Sequence, residues 1–188
     1  RVWEKIQAGM QALGAQAPAL RRAVANWAKR KGLAGGYAEQ SGRPKPFGYG
    51  LAKKLVFDKV RERLGLDQAR ICLTSAAPIS LATLEYFLSL GIPILEVYGM
   101  SEDTGPTTLS TPTRYRTGRA GCAFPGTELK TAEDGEIMMR GPHVFLGYLK
   151  DEAATREVLD ADGWIHSGDV GDIDADGFLR VTDRKKEL

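Results

Sequence analysis

Cysteine and histidine are scarce in this sequence: Cys72 and Cys122 stand far apart without a CxxC pair, and His143 and His166 are the two histidines. Such spacing offers neither a disulfide framework nor a zinc site, and two reduced cysteines in a cytosolic protein are the expectation. No run of about 18 apolar residues occurs, which excludes a transmembrane helix in this stretch, and no basic, apolar and small-residue succession marks a secretory signal. Internal repeats and low-complexity tracts are also missing. What is present, 43% hydrophobic and 27% charged residues over 188 positions, suffices for one good core or two small ones.

The net charge of +2 hides an imbalance. Residues 1–70 hold 15 Lys and Arg against 5 Asp and Glu, a balance of +10, and residues 71–188 hold 11 against 19, a balance of −8. The first part suits an anionic membrane surface or nucleic acid, the second a metal or solvated turns. Apolar residues in the first part recur at helical spacing: Val2, Trp3, Ile6, Met10 and Leu13, then Leu20, Val24 and Trp27 after Pro18, then Leu51, Leu55, Val56, Val60 and Leu64. Lys29, Arg30 and Lys31 before Gly32 predict the end of the second helix, since cations suit the negative end of the helix dipole, and a Gly- and Pro-containing loop over 32–50 follows. No base-stacking or groove-reading motif accompanies this basic cluster, so a solvated face or membrane contact is preferred and no nucleic-acid partner is expected.

The pattern changes at Arg70. Residues 71–73 read as a short buried strand, Ser80 caps a helix running to Leu90 and stopping at Gly91, and 94–97 read as a second buried strand. That is a β-α-β unit with a parallel sheet. After Pro112 short strands surround turns: 128–131 and 136–140 flank Glu133, Asp134 and Gly135, while 170–173 and 178–182 flank 174–177, and Asp151 caps a short helix over 152–159. The expected fold class is α/β: a partial parallel α/β subdomain with a helical insertion, followed by a smaller antiparallel β lobe. The expected divisions are a basic helical segment over 1–70, part of a nucleotide-binding subdomain over 71–112, the β lobe over 113–184, and the start of a hinge over 185–188.

Tyr98, Gly99, Met100, Ser101 and Glu102 follow directly on the second strand, where open α/β sheets bind their ligands. Tyr98 offers a flat face to a base, Gly99 a close backbone approach, Ser101 a donor for phosphate and Glu102 a ligand for a hard cation. On its own, a Tyr-Gly pair in a loop is more often just a turn.

Four further segments occur in one order with it, and together they resemble the adenylate-forming superfamily of acyl-CoA synthetases, luciferases and peptide-synthetase adenylation domains. Thr74, Ser75, Ala76, Ala77 and Pro78 look like its small-residue loop lining the adenine and acyl pocket. Tyr98 to Glu102 resembles its Tyr-Gly-x-Thr/Ser-Glu motif, which implies adenine stacking by Tyr98, phosphate binding by Ser101 and magnesium binding by Glu102. Gly135, Glu136 and Ile137 through Gly141 look like a largely structural strand motif, and Trp164 to Asp169 resembles a Thr/Ser-Gly-Asp motif whose aspartate, here Asp169, holds the ribose hydroxyls. Gly177 through Leu188 is similar to the hinge motif, which implies a ribose contact for Arg184 and a pivot at Lys186. Five matches in order carry far more weight than any one of them.

The resemblance implies ATP or AMP, Mg2+ and coenzyme A as cofactors and a fatty acid as substrate, in two steps: acyl-AMP with release of pyrophosphate, then displacement of AMP by the CoA thiol. Residues 1–5 and 56–61 resemble long-chain fatty acyl-CoA synthetases, and the stretch from 87–94 through 105–106 looks closest to their bubblegum-type subgroup. Other carboxylic acids stay open. The implied phosphate-gripping loop ending in Lys-Gly and a later lysine are not among the 188 residues, so the chain is expected to be a central fragment, inactive alone. Trp3 and Trp27 read as core rather than as the lining of an acyl tunnel. The expected location is cytoplasmic, with peripheral attachment to a membrane left open. One alternative comes from a different class: Asp172, Asp174, Asp176 and Gly177 match the start of an EF-hand calcium loop, although the flanking pattern is β-rich. His166 reads as packed or exposed beside Asp169, and His143 is unassigned.

Overall fold

The computed structural model describes residues 2–185, so the expected pivot at Lys186 lies outside the described residues. Two compact units form: one runs through Cys72 and resumes over Pro78–Ile94, and the other comprises Leu73–Ala77 and the chain from Leu95 onward.

The first unit is helical. Helix α1 (Val2–Ala15) is followed by α2 (Ala19–Gln40), α3 (Tyr49–Ala52) and α4 (Asp58–Arg63), with a π-helical turn at Lys53–Phe57 joining the last two. Helix α2 corrects the expected stop at Gly32, because Gly32, Gly35 and Gly36 are interior contact points rather than terminators. A Cβ on Gly32 would lie 2.0 Å from the Ser89 carbonyl oxygen, one on Gly35 2.3 Å from the Tyr49 ring, and one on Gly36 2.4 Å from Leu88. The helix ends instead at Gly42 (φ 63°), where Gly42 N–H donates to Glu39 O (3.1 Å) and Arg43 N–H to Ala38 O (2.8 Å), the paired bonds of a Schellman motif. The cations of 29–31 lie mid-helix, and Lys29 sits over the Tyr86 ring at 4.6 Å. Helix α5 (Leu81–Leu88) starts at Ser80, whose Oγ accepts from Thr83 N–H (3.1 Å), and supplies Leu84 and Phe87 to a core with Leu90, Ile92 and Ile94. Trp3 meets Phe87 edge-on at 5.1 Å, and Trp27 joins the Ala28, Ala52 and Phe57 cluster. Both tryptophans are partly buried and pack against core clusters.

Two sheets build the second unit. The first has the order β1 (Cys72–Thr74), β2 (Ile94–Met100), β3 (Gly105–Leu109) and β4 (Cys122–Ala123). Strands β1 and β2 are neighbours connected through α5, the type of crossover that a parallel pair needs. Antiparallel pairing starts earlier than Pro112, since β2 pairs with β3 and β3 with β4. The second sheet is an antiparallel succession of β5 (Glu128–Thr131), β6 (Glu136–Arg140), β7 (Ile165–Ile173) and β8 (Leu179–Arg184) over a core of Ile137, Met139, Ile165 and Leu179. Helix α6 (Glu152–Val158) lies between β6 and β7, its Asp151 cap accepting from Ala154 N–H at 2.9 Å. The class is therefore α/β with a helical insertion and a smaller antiparallel lobe.

Candidate functional site

Strand β2 runs three residues further than its apolar pattern predicts, so Tyr98, Gly99 and Met100 are strand residues and Ser101 opens a 3-10 turn through Asp103. A bulge at Tyr98/Gly99 shifts the pairing with β3. Gly99 is required by β3, for a Cβ there would sit 1.9 Å from the Gly105 carbonyl oxygen. The turn is closed by Asp103, 1% exposed, whose Oδ1 accepts from the N–H groups of Met100 (3.1 Å) and Gly105 (3.3 Å) and whose Oδ2 accepts from the Thr107 hydroxyl. Sequence reading passed over Asp103. Its adjacency to Glu102 was the available signal.

This closed turn fixes Tyr98 against the second sheet. The ring packs beside the Ile137, Met139, Ile165 and Leu179 core, and its hydroxyl donates to Asp169 Oδ2 at 2.7 Å. Burial pushes the phenol pKa far up, and the Asp169 carboxylate adds to the shift, so Tyr98 remains a neutral donor. Asp169 and Arg184 are register partners on β7 and β8, with Arg184 Nε 3.4 Å from Asp169 Oδ1. Ser167 buttresses the pair: its Oγ donates to Ile137 O (2.7 Å) and accepts from Asp169 N–H (3.0 Å). Three of the expected site residues, Tyr98, Asp169 and Arg184, thus meet although the first two are 71 positions apart.

Behind them is a charged cluster centred on Glu136, whose partners the sequence did not single out. The largely buried Glu136 accepts from Gly168 N–H (2.9 Å), faces His166 Nδ1 (3.1 Å) and takes Lys185 Nζ (2.9 Å), which also reaches Asp134 Oδ2 at 2.5 Å. Burial opposes the Glu136 charge, but the bonds from Lys185, His166 and Gly168 outweigh it and hold the carboxyl below its ordinary pKa. Its bonds to Asp134 and Glu136 in turn raise the Lys185 pKa. The motif around Glu136 therefore fixes the turn that presents Asp169. His166 belongs to this support.

Ser101 is exposed, and Glu102 is half-buried, with Oε1 accepting from the Tyr148 hydroxyl at 2.6 Å. Ala76, Ala77 and Pro78 follow β1 in an exposed bend, where Ala76 adopts φ 67°. Ala76 and Ala77 make no hydrogen bond to the Tyr98, Asp169 and Arg184 set among the described residues. The aspartates of the calcium alternative join two strands, β7 and β8, instead of the helices that an EF-hand loop connects. Arg116 pairs with Asp174 (2.6 Å) and Asp176, while Arg119 and Arg180 pair with Asp172 at 3.0 and 2.7 Å. Asp174 Oδ1 meanwhile closes the turn by accepting from the N–H groups of Asp176 and Phe178.

Glu102 is the one expected metal ligand, and no cluster of three or more His, Cys, Asp or Glu side chains suited to a metal occurs among the described residues. A lone carboxylate on an accessible turn fits Mg2+, which keeps several waters and takes its other oxygens from substrate phosphates.

The chain is 48% identical over its whole length to a long-chain-fatty-acid–CoA ligase ACSBG2 from Xenopus laevis and to its counterpart from Gallus gallus, spanning 26% and 25% of those proteins, about a quarter of each. Among solved structures, the O-succinylbenzoate coenzyme A synthetase of Bacillus subtilis in complex with AMP is similar, with TM-score 0.56 and 32% identity over 63% of this chain and 27% of that one. A family profile described as AMP-binding enzyme matches residues 7–149, more than half of the chain. The chain belongs to the AMP-binding enzyme family.

Proposed function

We propose that this chain is the nucleotide-binding segment of a long-chain fatty acid–CoA ligase that converts a fatty acid, ATP and coenzyme A to acyl-CoA, AMP and pyrophosphate. The observation that carries the reading is the convergence of Tyr98, Asp169 and Arg184. Tyr98 occupies one oxygen of Asp169 and leaves Oδ1, on the Arg184 side, to accept from ribose hydroxyls. Arg184, with its side chain 63% exposed, can swing its fixed fork of donors to the sugar or the α-phosphate. The Tyr98 ring, Gly99 and Met100 are assigned to adenine with Ala76 and Ala77, and the exposed Ser101 hydroxyl to phosphate.

In the first step a fatty carboxylate oxygen attacks the α-phosphorus, the bond to the bridging oxygen breaks, and pyrophosphate leaves. In the second the CoA sulfur attacks the acyl carbon and AMP leaves. Neither step needs a protein nucleophile. The work of the chain is to hold the reacting groups in line and oppose the charge that develops. Glu102 would hold Mg2+, whose contribution when bound is to neutralise phosphate charge. Lys186 is proposed as the pivot between the two steps.

The long-chain assignment is supported by the names of the relatives. Peripheral membrane attachment is proposed for the basic helical part. Leu20, 77% exposed, is next in sequence to the exposed Arg21 and Arg22, and Leu13 is 73% exposed, so apolar and cationic groups both face solvent. No described helix is long and apolar enough to cross a membrane.

The test is fatty-acid-dependent exchange of pyrophosphate into ATP by the complete enzyme. Exchange is expected with palmitate and not with acetate. Exchange driven by a short or aromatic acid alone would reassign the substrate, and none with any acid would overturn the reading.

A further inference from the structure

The loop between β6 and α6 returns to Glu102 by a closed circuit of contacts. Asp151 caps α6, and its backbone carbonyl accepts from the Thr155 hydroxyl (2.8 Å). That hydroxyl in turn accepts from Tyr148 N–H at 2.9 Å. Gly147 makes room for this: its φ is 140°, and a Cβ there would sit 2.7 Å from Thr155. The Tyr148 ring then stands edge-on to Phe145, with centroids 5.0 Å apart. Phe145 packs on the second-sheet core, and its N–H donates to the Glu102 carbonyl at 2.8 Å. From that position the Tyr148 hydroxyl reaches Glu102 Oε1 at 2.6 Å. The tyrosine is thus held at its backbone, its ring and its hydroxyl, and two of those three restraints lead to Glu102.

We propose that Tyr148 is the positioning residue for the metal-binding carboxylate, holding Glu102 Oε1 so that Oε2 alone faces the cation. The proposal rests on the metal role given to Glu102 above. Glu102 Oε2 has no hydrogen-bond partner among the described residues, so the carboxylate is prepared for one-oxygen ligation. Outer partners of this kind orient a ligating group, and losing one costs about 10- to 100-fold in metal affinity. Phenylalanine removes the hydroxyl and keeps the ring that meets Phe145.

The experiment uses the complete enzyme and α,β-methylene-ATP, which cannot release pyrophosphate. Its dissociation constant is measured by calorimetry with saturating Mg2+ and again in EDTA, and the ratio of the two constants is the metal's contribution to binding. For Tyr148→Phe the ratio should fall about 10- to 100-fold while the constant in EDTA stays unchanged, which also checks that the pocket is intact. For Glu102→Gln it should fall at least as far. If Glu102→Gln lowers the ratio and Tyr148→Phe does not, the positioning role is wrong and the metal role stands. A higher ratio for Tyr148→Phe would mean that the hydroxyl competes with the cation and would equally overturn the proposal. An unchanged ratio for Glu102→Gln would remove the metal role and this proposal with it.

Discussion

Glu96 offers a test of the fold around the site through its charge. It lies on β2 two residues before Tyr98, with its Oε2 accepting from Gly118 N–H at 2.8 Å. Burial raises its pKa from 4.5 to about 7, against the opposing effect of the Gly118 and Arg119 amides. Because the folded carboxyl binds its proton more tightly than the unfolded one, the native state carries the extra proton between these two values. Stability from this group is therefore full below pH 4.5 and declines as pH rises towards 7. At about 1.4 kcal/mol per pH unit, the interval amounts to roughly 3 kcal/mol. Glu96→Gln keeps an oxygen for the amides and removes the titration, so the variant should match the native protein near pH 4.5 and exceed it by up to about 3 kcal/mol above pH 7. Hydrogen exchange at the Gly118 and Arg119 amides, compared between the two proteins at pH 5, 6.5 and 8, reads this difference at the groups concerned. A difference that stays constant with pH, or shrinks as pH rises, would refute the reasoning.

Gly32→Ala should destabilise the helical unit by about 1–3 kcal/mol, since the new methyl meets backbone at Ser89 rather than a flexible side chain; a lowered denaturant midpoint checks this, whereas Gly14→Ala, with open space around it, should change the midpoint little or raise it. Flotation with vesicles tests the membrane proposal: binding to anionic but not neutral vesicles is expected, weakened by high salt and by changing Lys29, Arg30 and Lys31 to glutamine, each cation contributing about 1 kcal/mol at most. Salt-insensitive binding, or none at low salt, would leave those charges a solvated face.

Much of the architecture was legible because it follows local rules. Ser80 and Asp151 each precede a helix and cap it as their side chains allow, and the turns at 133–135 and 174–177 separate strands as their Gly and Asp content predicts. Helix α2 was misread because glycine has two uses, a positive φ at a terminus and a bare surface for close approach, and only the neighbours Ser89, Tyr49 and Leu88 distinguish them at 32, 35 and 36. The end of β2 was misplaced for a related reason. Gly99 belongs to a bulge whose need arises from β3, a partner the apolar pattern does not announce. In the site, Tyr98, Asp169 and Arg184 were legible as residue types in order, yet their support was not. Asp103, Glu136, Ser167 and Lys185 act through bonds to backbone or to distant side chains, and no spacing rule connects Lys185 with a carboxylate 49 positions earlier.

The central claim is that Asp169, held by Tyr98 and paired with Arg184, receives the ribose of the nucleotide. Calorimetric titration of the complete enzyme and its Asp169→Asn variant with AMP and with 2′,3′-dideoxy-AMP tests it most directly. Hydrogen bonds to a charged group contribute about 1.5–3 kcal/mol each, so the native enzyme should prefer AMP by about tenfold or more, and the variant should lose most of that preference while still binding the dideoxy compound as before. An equal preference for AMP in both proteins would place the ribose elsewhere and contradict the account.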